Sequence, residues 1–226
     1  MVWAHEIEIT LSNFIVKSPQ RLDLCLRAML VSGIKVVMQK IIAQILKESA
    51  THKLALAKDS GFLVRVAEAG ERLRAAVARG GTIYLCGNGG SACDAMHFCE
   101  EMVARFKRQR PGIRAVHFMD PGVLTCWAND YDFESVFERC AQTFCTATDV
   151  LIAFSTSGNS RNVLRAVEAA KAKKCFTLAL SGRDGGCLLE AADLALVVPA
   201  SATERIQEVH ITLVHILCDL LERELV

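Results

Sequence analysis

The chain has 226 residues, with 26 basic and 25 acidic side chains and a formal net charge of +1. With no long block of either sign, nucleic acid and an anionic membrane surface are poor candidates for its main partner. No uninterrupted apolar run approaches the ~18 residues of a membrane helix. The start, Met1 to Glu8, lacks the basic lead of a signal peptide.

Residues 1–37 differ from the rest. Pro19 interrupts them, Gly33 follows, and only Leu22, Leu24, Leu26, Met29 and Leu30 could line a short helix. They read as an extension, and residues 38–226 as a single domain. From Met38 the pattern becomes regular. Ile41, Ile42, Ile45, Leu46 and Leu56, then Phe62, Val66, Ala69, Leu73 and Val77, recur at helical spacing. Two helices are expected, the second ending at Gly80-Gly81. The chain then alternates. Strands are predicted over 82–86, 113–119, 149–154, 176–180 and 194–198. Helices are predicted over 92–108, near 123–128 after a Pro121-Gly122 turn, and over 132–146, 161–173, 187–192 and 203–225. Nearly continuous apolar strands separated by helices predict an α/β fold with a doubly wound parallel sheet. Ligands in such folds sit at the carboxyl ends of the strands.

Ten cysteines lie scattered at 25, 86, 93, 99, 126, 140, 145, 175, 187 and 218, with no C-x-x-C pair. They read as reduced, mostly buried thiols of a cytoplasmic protein.

Four segments carry chemistry. Gly87-Asn88-Gly89-Gly90-Ser91 joins a strand to a helix and suits close approach of a ligand to free N–H groups. The spacing is not a dinucleotide fingerprint, and no P-loop lysine follows. Ser155-Thr156-Ser157-Gly158-Asn159-Ser160 places four hydroxyls before a helix start. A simple N-cap needs one hydroxyl, whereas four suit a phosphate. His97 and Glu101 fall one turn apart on one helix face, as an acid/base or metal pair or as a surface contact. The terminal helix carries Gln207, His210 and His215, with Glu204 and Glu208. Residues 207 and 215 are about 80° apart around the axis and ~12 Å along it, which is awkward for two ligands of one ion in one subunit. Asn129-Asp130 reads as a loop pair, either turn formers or hydroxyl binders.

The stretches GNGGSACDAMHFCEEMVARF, RPGIRAV, DVLIAFSTSGNSRNVLRA, LSGRDGG and RIQEVHITLVHILCDLLE resemble the phosphoheptose isomerases of the sugar isomerase (SIS) superfamily, in order and spacing, across Met38 to Glu224. The resemblance implies a five-stranded parallel sheet with helices on both faces, and a homotetramer with active sites at subunit contacts. It implies that Asn88, Gly89, Gly90, Ser91, Glu101, Asn129, Asp130 and Gln207 bind the sugar, with Ser155, Thr156, Ser157 and Ser160 on the phosphate. It implies Glu101 and His215 as the acid/base pair, and His97, Glu101, Gln207 and His215 as ligands of one zinc per subunit. Glutamine is an unusual zinc ligand, which suggests modest affinity. Glu204 stands where the family often has Asp. The implied activity is conversion of sedoheptulose 7-phosphate to D-glycero-D-manno-heptose 7-phosphate through an enediol, supplying a bacterial surface glycan such as lipopolysaccharide. The rival is a non-catalytic SIS-domain binding protein, a sugar-phosphate sensor or a replication-initiator partner.

Overall fold

A computed structural model describes residues 24–224. The first element, α1 (Leu24–Leu56), is one continuous helix, so Gly33 is absorbed within it, and Leu22 and Pro19 lie outside the described residues. Its outer turns expose Ile34, Met38, Ile41, Ile42, Ile45 and Leu46. The compact unit that carries the sheet begins at Ser49. No described helix is long and apolar enough to cross a membrane.

Helix α2 (Ser60–Ala78) starts where Asp59 accepts a 2.9 Å bond from the Phe62 N–H, and its apolar face is buried. Five strands follow: β1 (Ile83–Gly87), β2 (Ala115–His117), β3 (Val150–Ser155), β4 (Phe176–Gly182) and β5 (Leu194–Val198). All pair in parallel, in the order β2-β1-β3-β4-β5. Ile83, Leu85, Leu151, Ile152, Leu178 and Leu180 are fully buried, as strands covered on both faces require. The crossovers are α3 (Gly90–Val103), α4 (Pro121–Asp130), α5 (Val136–Phe144), α6 (Arg161–Ala172) and α7 (Leu188–Ala191), and α8 (Thr203–Glu224) ends the chain. Helices α2, α3 and α8 pack together, as do α5 and α6. The doubly wound sheet expected from sequence is therefore present.

Several boundaries differ from expectation. Pro121-Gly122 is the start of a helix rather than a turn, because Asp120 accepts from the Val123 N–H at 2.8 Å and proline fits the first helical position. Asn129-Asp130 consequently ends α4 and is not a loop. Helix α3 stops at Val103, five residues short of the expected Arg108. There the buried Glu222 carboxylate captures the N–H groups of Phe106, Lys107 and Arg108 at 2.8–2.9 Å and takes a 3.0 Å bond from Arg110. Burial works to raise the Glu222 pKa, but these donors outweigh it and hold it below the usual carboxylate value.

The order of strands reverses between β1 and β3, so the crevice between their carboxyl ends is the switch point of the sheet. The glycine turn after β1 and the serine loop after β3 flank it.

Candidate active site

Two clusters make up the candidate site. At the switch point, Gly87–Ser91 leads into α3, whose N-cap is Gly89 with no side chain satisfying the first turn. The Ser91, Ala92 and Cys93 N–H groups bond the Asn88 and Gly89 backbone carbonyls, which leaves the Gly89 and Gly90 N–H groups to face a ligand. The Gln207 amide lies so close to Gly90 that a Cβ there would collide with it. Across the crevice, Ser160 occupies the N-cap of α6, yet its hydroxyl makes no cap bond. It instead meets the Ser155 hydroxyl at 2.9 Å, with Ser157 3.4 Å from Ser155. Three hydroxyls thus converge while the helix start stays uncapped, an arrangement suited to a dianion. The loop is braced from the start of α7. The Leu188 N–H donates to the Gly158 carbonyl (3.0 Å), and the Cys187 N–H to the Asn159 carboxamide (2.9 Å). Gly158 has φ of 66° and lies against the Gly185 carbonyl, so only glycine fits.

The second cluster lies further along α3. His97 Nε2 is 3.1 Å from His215 Nε2 and 3.4 Å from Glu101 Oε1. One donor atom from each of His97, Glu101 and His215 lies within 4.8 Å of the others. Tetrahedral Zn–N bonds of ~2.0–2.1 Å put neighbouring ligand atoms about 3.4 Å apart, so the donor spacing fits a small divalent cation. The Glu100 carboxylate lies 3.1 Å from His97 Nδ1. A proton on Nδ1 leaves the Nε2 lone pair facing the cluster. The Phe106 ring stacks on His215 at 5.5 Å and 14°. Phe106 belongs to the segment pinned by Glu222. Arg110 from the same segment donates to the Glu101 carbonyl at 2.7 Å.

The expected residues therefore divide. His97, Glu101 and His215 meet. Gln207 sits on the glycine turn, two turns of α8 before His215, as the eight-residue spacing anticipates. His97 lies seven residues beyond Gly90, about 10 Å along the helix, so the cation cluster and the glycine turn are separate in one chain. Asn129 and Asp130 are exposed, with the Asn129 amide on Asp130 at 2.9 Å.

Three features escaped sequence reasoning. His210 is fully buried and bonds the Ser181 carbonyl at 3.1 Å; burial pushes its pKa down to about 4, with that bond opposing. Asp94, half-buried on α3, has one carboxylate oxygen without a partner. Burial raises its pKa to about 6, against the pull of His97. Neither environment has a local sequence signal. The Glu222–Arg110 ion pair had none either: Arg110 ends the basic stretch 105–110, and its meeting with Glu222 across 112 positions is tertiary.

Residues 63–182 match the SIS domain model. The chain is 46% identical over 179 residues to a phosphoheptose isomerase of Helicobacter pylori, covering 78% of this chain and 93% of that protein. The corresponding figures for the Vibrio cholerae phosphoheptose isomerase are 41% over 188 residues, 83% and 98%. The chain belongs to the phosphoheptose isomerase family of SIS-domain proteins. Solved structures agree. A phosphoheptose isomerase from Neisseria gonorrhoeae superposes with a TM-score of 0.77 at 38% identity, covering 82% of this chain and 99% of that one. One from Francisella tularensis gives 0.78 at 30%, covering 82% and 98%.

Proposed function

We infer that this chain is an aldose–ketose isomerase that converts sedoheptulose 7-phosphate to D-glycero-D-manno-heptose 7-phosphate. The observation that carries the mechanism is the meeting of Glu101 with His97 and His215. A carboxylate beside an imidazole is the pair an enediol reaction needs. The Glu101 carboxylate removes a proton from C1 of the ketose, and the C1–C2 enediol forms. His215 moves a proton between the oxygens on C1 and C2. The proton on Glu101 exchanges with solvent at the enediol stage, and Glu101 then delivers a proton to C2, giving the aldehyde at C1. Because Glu101 Oε1 faces His97, Oε2 is the oxygen assigned to the carbon acid. The serine loop takes the phosphate, remote from the chemistry, and fixes the distance of C1 from the base. Gly89, Gly90 and Ser91 approach the sugar through backbone, with Gln207, Asn129 and Asp130 on its hydroxyls.

His97, Glu101 and His215 would hold one zinc ion; Gln207, the fourth ligand implied by family resemblance, sits on the glycine turn in this chain, so it would reach the ion only from a neighbouring subunit. Bound there, zinc would polarise the carbonyl and stabilise negative charge on the enediolate. The roughly 10 Å between glycine turn and cluster supports a shared site in which subunits complete one another. Exposed apolar residues on α1 support a homotetramer. The free cysteines, most of them buried, support a reducing, cytoplasmic setting, with the heptose passing to a bacterial surface glycan. A binding-only SIS protein would not need an acid beside two imidazoles.

Incubation with sedoheptulose 7-phosphate in D2O tests the reading. The expected result is heptose 7-phosphate carrying deuterium at C2. Folded protein that yields no aldose contradicts it.

A further inference from the structure

Asn88 and Asn162 face each other across the switch point and exchange two hydrogen bonds. The Asn88 amide donates to the Asn162 carbonyl oxygen at 2.8 Å, and the Asn162 amide donates back at 2.9 Å. Asn162 is 4% exposed, in the first turn of α6 immediately after the serine loop. Asn88 sits in the glycine turn, where its backbone carbonyl accepts from the Ser91 and Ala92 N–H groups at 3.0 and 3.4 Å. The strands below pair Gly87 with Phe154, one residue before the serine loop. The reciprocal pair is therefore the polar side-chain bridge between the two ligand-facing turns, 74 positions apart in sequence.

We propose that Asn162 is a positioning residue that latches the glycine turn to the phosphate loop, so that the phosphate is gripped at a fixed distance from the sugar wall. The proposal rests on the substrate assignment above. With its amide turned to Asn162, Asn88 meets the sugar through its backbone and its neighbours' N–H groups. The pairing also explains why an amide, rather than a hydroxyl, stands in the first turn of α6. Only a carboxamide donates and accepts in one plane, so a single side chain can hold its twin in one orientation. Loss of either amide leaves the other without its partner in a poorly hydrated crevice.

The test is a double-substitution cycle on the full chain: wild type, Asn88→Ala, Asn162→Ala and both together. Two quantities are read, the steady-state constants for sedoheptulose 7-phosphate and the affinity for inorganic phosphate by calorimetry. Each single substitution is expected to raise KM and weaken phosphate binding about tenfold, and the double is expected to be no worse than either, as for two halves of one contact. For Asn162→Ala the turnover number is expected to stay within about twofold, because Glu101 and His215 are untouched. Losses that multiply in the double, or an Asn162→Ala protein with wild-type KM and phosphate affinity, overturn the latch. If Asn162→Ala does not fold, Asn162→Ser, which cannot return both bonds, carries the same expectations. A wild-type chain that binds phosphate but does not isomerise counts against the proposed reaction, while the phosphate cycle still decides the latch.

Discussion

The turns after β1 and β3 are built alike and used differently. Each ends a buried parallel strand, starts an uncapped helix and borders the switch point. The glycine turn has one hydroxyl side chain, Ser91, and is covered by the flexible end of Gln207. The serine loop has converging hydroxyls and is backed by rigid backbone from the Gly185-Gly186 segment. Position in the fold puts both at the switch point. In the proposed function, hydroxyl content and backing decide which one grips the phosphate and which one lets the sugar come close.

Substitutions that exploit this asymmetry can break it. The largest effect is expected from Gly158→Ala. Its φ of 66° and its contact with the Gly185 carbonyl leave no room for a methyl group. The loss of stability should be about 3 kcal/mol or more by denaturant unfolding, with phosphate affinity largely lost. Next comes His210, which holds the Ser181 end of β4 beside the serine loop. Its pKa drops from 6.5 to about 4 on folding, so the unfolded chain binds the proton first. The contribution is whole above pH 6.5 and is lost as pH falls towards 4. Between pH 7 and pH 4.5 that amounts to about 2.5 kcal/mol. His210→Asn should lose this part of the pH dependence. Asp94, with its raised pKa, pulls the other way over part of the same range in both proteins. A variant with the full wild-type slope would remove His210 from the bracing of the phosphate side.

Replacing Ser157 and Ser160 together by alanine should raise KM about 10- to 100-fold, since charge-assisted bonds to phosphate are lost, and should cost about 1–3 kcal/mol of stability, since the buried Ser155 hydroxyl loses both partners. The smallest effect is expected from Gly90→Ala. The atom it meets is the end of the Gln207 side chain, which can swing away. Stability should change by less than about 1 kcal/mol, with the cost appearing in KM for the sugar and not in phosphate affinity. Equal damage from Gly90→Ala and Gly158→Ala would erase the distinction between the turns.

Much of the fold was legible because its signals are local. Apolar runs such as DVLIAF gave all five strands, and β5 was found at its observed limits. Asp120-Pro121 was a helix-start signal that a Pro-Gly turn reading obscured. The end of α3 was not legible, since a carboxylate from the far end of the chain decides it. In the site, helical periodicity put His97 and Glu101 on one face and warned that Gln207 and His215 are far apart. That His215 would meet His97 depends on how α3 and α8 pack, which no spacing reveals. The Asn88–Asn162 pair was equally hidden, because each residue alone reads as an ordinary turn or cap residue.

The central claim is that Glu101 is the base in an enediol isomerisation. The most direct measurement is exchange of the C1 proton of sedoheptulose 7-phosphate with D2O, comparing wild type with Glu101→Gln at matched metal content. The account predicts rapid exchange in wild type and a loss of about 100- to 10,000-fold in the variant, with phosphate affinity retained. Exchange at near wild-type rate in Glu101→Gln would contradict it.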